Sequence, residues 1–204
     1  MSKEALKQAS GAAVLGYRAP TFSLVRQTAG ALDVLGEMGL LYDSSIYPVR
    51  HDRYGIPDAP RGLFMAQGAR HEILEIPPAT LSVRGVNVPV GGGGYFRLLP
   101  LATLLFAIRH RATSGGPFTA YFHPYEFDLE PLRLSVRMEG IRRFLRSQLF
   151  QQHQNLRRRS LPGKLRRIMA ECRIETCEEF VARLMRQQTD AAGFPAGNYE
   201  CKPI

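Results

Sequence analysis

The sequence predicts an α/β fold built on a parallel sheet, and three observations carry that expectation. Over residues 13–42 a short apolar run, an amphipathic run and a second apolar run follow one another, the strand–helix–strand rhythm of a parallel α/β unit. Four apolar runs end on polar residues, Arg18, Asp43, Glu75 and His123; in parallel folds the carboxyl ends of the strands gather on one side, where substrates bind. Finally, residues 118–128, FTAYFHPYEFD, start with the β-branched and aromatic composition of a strand buried on both faces. They stop at His123-Pro124, because proline has no N–H for a sheet ladder and keeps the residue before it out of the helical region.

Residues 3–9 have helical composition and break at Ser10-Gly11, and residues 13–17 form the first strand candidate, running into Arg18-Ala19-Pro20. A helix is expected over 28–38, with Leu32, Val34, Leu35 and Met38 at helical spacing and Gly39 placed to end it. Residues 40–42 give a second strand, ending in Asp43-Ser44-Ser45. The stretch 46–62 is irregular, holding three prolines and many charges, and loops of that length inside a domain tend to be functional. A third strand is expected over 72–76, stopped by Pro77-Pro78, with one or two short strands around Gly85 within 81–90. Residues 91–94 are a glycine run leading into Tyr95-Phe96-Arg97. A helix is expected over 98–111, with Leu101, Leu104, Leu105 and Ile108 on one stripe and Pro100 in its first turn.

Beyond residue 128 the chain turns basic and helical. Three apolar faces are expected there: Ile141, Phe144, Leu145 and Leu149; Leu165, Ile168 and Met169; and Phe180, Val181, Leu184 and Met185. The chain thus divides into an α/β part (1–130), a basic helical segment packed on it (131–190) and a loose tail (191–204).

At 204 residues the chain can bury a real core as one domain with a small appendage. No run reaches the roughly 18 apolar residues of a membrane span, and MSKEALKQASG has no hydrophobic signal core. A cytoplasmic location is the expectation that follows. Cys172, Cys177 and Cys201 lack zinc-ligand spacing and read as free thiols. The net charge is +9, concentrated between Arg133 and Arg167, where Glu139 stands alone against the arginines. Such a cluster suits nucleic acid, an anionic membrane surface or an acidic polysaccharide, or simply a solvated helix face. No base-reading or stacking motif accompanies it, so a specific nucleic-acid partner is not expected.

At the strand ends, His123 has the chemistry of a proton donor or acceptor, since histidine changes charge near neutral pH; a core histidine satisfied by a carbonyl is the alternative. Asp43 would orient it and Arg18 would supply positive charge, unless these two form a structural ion pair.

The segments GYRAPTFS, LGEMGLLYDSSIYPVRHDRYGIPDAPR, GGGGYFRLLP and YFHPYEFD resemble the C-terminal half of NodB-type polysaccharide deacetylases, in the branch associated with exosortase and exopolysaccharide gene clusters. The resemblance spans roughly residues 3–180. It implies part of an irregular (β/α) barrel, without its N-terminal strands and with a helical basic C-terminal segment. It implies removal of N-acetyl groups from a sugar polymer with a divalent metal, usually zinc. By position Arg18 matches the arginine that orients the catalytic aspartate, and His123 the general acid on the leaving amine. Asp43 falls near the aspartate that tunes that histidine, although the tryptophan often beside it is absent.

The family's Asp-Asp pair and its HxxxH segment are not in this sequence, and no two of its histidines stand three or four residues apart. A hydrolytic metal site needs about three protein ligands, so no metal ligand is assigned here. The expectation is a truncated deacetylase, inactive alone, whose open barrel edge favours self-association. A carbohydrate-binding module without catalysis is the first alternative, and a basic nucleic-acid-binding protein driven by net charge the second. Two loops complete the candidate site. Tyr95 and Arg97 follow glycines that could let the backbone approach a sugar ring, with Tyr95 or Phe96 stacking on it, or that serve plain flexibility. The turn His51-Asp52-Arg53-Tyr54 lies beside the substrate groove by resemblance, or is a structural turn held by Asp52.

Overall fold

Short strands, whose buried side chains are the apolar Phe64, Ala66 and Ile73 and the polar Asp43, Glu75 and Thr80, make the framework of the computed structural model, which describes residues 3–114, 116–131, 141–189 and 201–203. The main sheet holds β1 (Gly16–Tyr17), β2 (Tyr42–Asp43), β3 (Phe64–Gln67), β4 (Glu72–Glu75) and a short C-terminal strand (Cys201–Pro203), in the order β1-β2-β4-β3 with the C-terminal strand outermost. A separate hairpin joins β5 (Thr80–Val83) to β6 (Val86–Pro89) around Gly85, and the C-terminal strand is β7. Strands β1, β2 and β4 run parallel, as the pattern predicts.

Strand β3 was not expected. It pairs antiparallel with β4, which makes the sheet mixed. Residues 201–203, expected in a loose tail, pair parallel with the free edge of β3. An edge strand offers unpaired N–H and C=O groups for such pairing. Residues 191–200 lie outside the described residues.

The expected strand at 118–122 is a second correction. The chain there is extended but makes one isolated bridge, Tyr121 with Gly92. Its backbone is satisfied by loops: Thr119 accepts from Ala79 N–H, and Tyr121 donates to Gly91 and accepts from Gly93, all at 2.9 Å. Among the described residues the strands do not close into a barrel; the architecture is a mixed α/β one.

Among the described residues seven α-helices accompany the strands: α1 (Lys3–Ser10), α2 (Ala31–Glu37), α3 (Gly93–Leu98), α4 (Leu101–Thr113), α5 (Ile141–Asn155), α6 (Leu161–Glu171) and α7 (Cys177–Thr189). Helix α2 buries Leu32 and Leu35 but leaves Val34 and Met38 outside the core, and it ends at Gly39, whose φ of +64° suits a residue without a Cβ. The helix expected over 98–111 is α4, beginning three residues later, and α3 over the end of the glycine run was not expected. Pro100 holds Leu99 extended (ψ 144°) and so separates α3 from α4.

Two cores result. One packs Leu32, Leu35, Ile46, Phe64 and Ile73 under the sheet. The other joins the α4 stripe, Leu101, Leu104, Leu105 and Ile108, to Leu161, Leu165 and Ile168 of α6 and to Phe118 and Phe122. The basic segment is therefore docked on the α/β part through α6. Met169, expected on that face, is exposed, as are Phe144, Leu145 and Leu149 of α5; the side chain of Ile141 lies outside the described residues. Of the α7 face only Val181 is fully buried. Cys172 and Cys177 are free. No helix among the described residues is long and apolar enough to cross a membrane.

Candidate functional site

Parallel pairing aligns the strand ends. Gly16 and Tyr17 stand opposite Tyr42 and Asp43, and Asp43 stands opposite Glu75. The residues that follow are thereby brought side by side at the carboxyl edge. Arg18 Nε donates to the Ser44 carbonyl at 3.0 Å and its Nη2 to Ser44 Oγ at 2.6 Å. Ser44 Oγ in turn donates to the Ile76 carbonyl at 2.6 Å. The guanidinium lies 5.5 Å from the Tyr121 ring centre and 5.9 Å from that of Phe22, within reach of cation–π attraction.

Above this edge opens a pocket of about 480 Å³, lined by Arg18, Ala19, Pro20, Thr21, Phe22, Arg53, Tyr54, Tyr121, Phe122 and His123. Arg18 after β1, His123 after the extended segment 118–122, and the loop residues Arg53 and Tyr54 thus share one cavity. Its walls are aromatic: Phe22 is 5.0 Å from both Tyr47 and Tyr121, and Tyr54 stacks on His51 at 3.8 Å. Burial, reinforced by Tyr54 and Tyr95, pushes the Tyr121 phenol up to about 12, so it is a neutral hydroxyl at physiological pH. Thr21 and Phe22 both have positive φ, 56° and 53°. Bulky residues rarely adopt that conformation, and such strain concentrates at ligand-facing segments.

His123 stands on the turn that closes the pocket. Its ring stacks on Tyr125 at 5.5 Å and meets Tyr121 edge-on at 5.9 Å. Its backbone N–H donates to Glu126 Oε2 at 3.0 Å.

Asp43 does not serve His123. Its buried carboxylate accepts from Ser45 Oγ at 2.6 Å, and Ser45 Oγ accepts from Ala19 N–H at 2.7 Å. It therefore fixes the backbone behind Arg18. Beside it Glu75 is fully buried, accepting from Ile46 N–H at 3.0 Å through Oε1 and hydrogen-bonded to the Asp43 carboxyl. Burial raises both carboxyls, and the neighbouring Asp43 charge raises Glu75 further, well above the ordinary range.

Arg97 is also corrected. Its side chain is 2% exposed, and it pairs with Glu126 Oε1 at 3.4 Å and donates to the carbonyls of Gln154 and Leu156. A guanidinium so engaged holds α5 to the His123 turn and is closed to substrate. His51 acts on its own turn, its Nδ1 accepting from Arg53 N–H at 3.2 Å. Asp52 is exposed, and Tyr95 is half-buried on α3 outside the pocket lining.

Residues 44–182 match the model of the family described as "Domain of unknown function (DUF3473)". The chain belongs to this family. Comparison with curated proteins and with solved structures finds no match. The DUF3473 region supplies Ser44, Arg53, Tyr54, Tyr121 and His123 to the site, whereas Arg18 and Phe22 precede it.

Sequence reasoning missed Tyr121, Phe22, Ser44 and Glu126. Tyr121 was findable: two residues before His123 in an extended chain, it must share that residue's side. As ligands for a divalent cation the pocket residues do not fit. They offer one imidazole and two guanidiniums with no carboxylate, and among the described residues no three His, Cys, Asp or Glu side chains cluster.

Proposed function

We propose that this chain carries the substrate-facing half of a polysaccharide deacetylase, a protein that hydrolyses N-acetyl groups on a bacterial exopolysaccharide or cell-surface polysaccharide. One observation above all supports this reading: Arg18 and His123, matched separately to that family by sequence, line the same aromatic pocket. Flat aromatic faces suit the apolar face of a sugar ring, which Tyr54, Tyr121 and Phe22 would cover. Arg18, fixed by Ser44, would orient an oxygen of the acetamido group or the carboxylate of a neighbouring barrel segment. His123 as imidazolium would give its proton to the leaving nitrogen as the C–N bond breaks, ending as neutral imidazole. The metal and the base that activates water would come from outside these residues, so the chain alone would bind the polymer without cleaving it.

The test joins this chain to a barrel segment bearing the Asp-Asp pair and HxxxH, and measures acetate release from N-acetylglucosamine oligomers with added zinc. Release that falls on the order of 100-fold or more in His123→Ala supports the reading. Release unchanged by His123→Ala would sink it. Release by the chain alone, above its own His123→Ala control, would overturn the claim that the site is incomplete. The second reading, a binding module without catalysis, is favoured by the aromatic lining and the unsuitable donor set. It expects oligomer binding that is lost in Tyr54→Ala and no acetate release from the joined protein.

A further inference from the structure

Helix α5 is turned the wrong way round for a helix of a soluble core. Ser147, Gln148, Gln151, Gln154 and Asn155 are its half-buried side chains, and they recur at helical spacing on the side facing the protein. On the other side Leu145 is 54%, Leu149 67% and Phe150 54% exposed. Between them stand exposed Arg142 and Arg146. Polar groups hold the helix down at its end, where Tyr125 Oη donates to Gln154 Oε1 at 3.1 Å and Arg97 takes the Gln154 carbonyl.

Charge decides what could cover this face. Residues 141–170 contain no aspartate or glutamate, and arginines follow again at 157, 159, 166 and 167, all exposed. An aqueous protein partner would have to match both the apolar ridge and an unrelieved positive field. A bilayer carrying anionic headgroups matches both at once: acyl chains take leucine and phenylalanine while the headgroup layer takes arginine. At 15 residues α5 is shorter than the roughly 20 needed to span a bilayer, so it would lie in the interface plane.

We propose that α5 is a membrane-surface helix that seats this protein on anionic lipid through Leu145, Leu149 and Phe150, with Arg142 and Arg146 on the headgroups. The inference is independent of the pocket's chemistry and stands whether or not the polysaccharide reading does. An enzyme or binding module so seated would meet its polymer at the membrane surface.

The chain has no tryptophan, so Leu149→Trp gives a clean fluorescent reporter, with Val83→Trp on the exposed β5–β6 hairpin as its control. Each variant of the whole chain is mixed with phosphatidylcholine–phosphatidylglycerol vesicles and, separately, with pure phosphatidylcholine. Expected are co-sedimentation with the anionic vesicles only, and a blue-shifted emission for Leu149→Trp but not for Val83→Trp. Arg142→Ala with Arg146→Ala should weaken partitioning on the order of tenfold or more. Leu149→Glu with Phe150→Glu should abolish insertion while the melting temperature holds. No sedimentation, equal sedimentation with neutral vesicles, or binding indifferent to Leu149→Glu with Phe150→Glu would each overturn the proposal. So would a blue shift in Leu149→Trp that grows with protein concentration in the absence of lipid, since a second copy would then be the occupant.

Discussion

Glu126 Oε2 accepts the backbone N–H of His123 at 3.0 Å while Oε1 faces the Arg97 guanidinium at 3.4 Å. One carboxylate thereby ties the histidine turn to the arginine that holds α5, with both charged side chains 2% exposed. Truncating one partner of such a pair leaves the other buried without compensation. Glu126→Ala should therefore lose about 3–5 kcal/mol of stability. Glu126→Gln keeps an acceptor for His123 N–H and should lose less. Urea titrations of the two variants check this, and equal losses would show that the charge is irrelevant.

The same carboxylate explains the glycine run. A Cβ built on Gly93 would stand 1.8 Å from Glu126 Oε2, closer than any real contact. Gly93→Ala must move the His123 turn or strain α3, at a cost of about 1–3 kcal/mol. Gly94→Ala, whose Cβ would meet only Arg97 Nη2 at 3.7 Å, an ordinary van der Waals contact, should be near neutral. Thermal melts of the pair distinguish close packing from plain flexibility at this run.

How much of this was legible beforehand follows from which kind of pattern carries each feature. Arg18 could be placed because parallel order aligns the ends of β1 and β2, whereas His123 reaches the same pocket on an extended segment that joins no sheet, its end marked by proline. Asp43 was drawn to the right edge but given the wrong partner, because Ser45 beside it offers a hydroxyl that no spacing rule advertises. Arg97 looked like a pocket residue since it follows aromatic and glycine residues. Its real task depends on Glu126, Gln154 and Leu156, which lie far along the chain and converge only in three dimensions. The apolar stripe of α5 was visible, but a stripe does not say which way it points. Only its exposure does.

Asp33 is a further residue with no sequence signal. Its carboxylate accepts from the backbone N–H groups of Arg70 (2.7 Å), His71 (2.9 Å) and Ala69 (3.2 Å), capping the β3–β4 turn from helix α2. These bonds, that of Arg70 foremost, hold its carboxyl below the ordinary range. A depressed carboxyl contributes stability above its unfolded pKa and loses it as pH falls through the folded value. The wild type should therefore lose melting temperature on acidification below about pH 4. Asp33→Asn should start lower at neutral pH and show a shallower acid slope. Parallel slopes for the two proteins would remove Asp33 from the account.

Glu75 runs the opposite way. Parallel pairing sets it opposite Asp43, and burial together with that neighbouring charge raises its carboxyl well above the ordinary range. The folded state therefore binds a proton that the unfolded chain has already released. Stability from this site is full below the unfolded carboxyl pKa and declines as pH rises toward the folded value. Glu75→Gln keeps an oxygen for Ile46 N–H and carries no charge beside Asp43, so its melting temperature should decline less between about pH 5 and about pH 9 than that of the wild type. Asp43→Asn should flatten the slope in part, because it removes the repulsion but leaves the burial. Parallel pH profiles for the wild type and Glu75→Gln over this range would mean that Glu75 is ionised in the folded protein, and the layer behind Arg18 would then hold two negative charges rather than one shared proton.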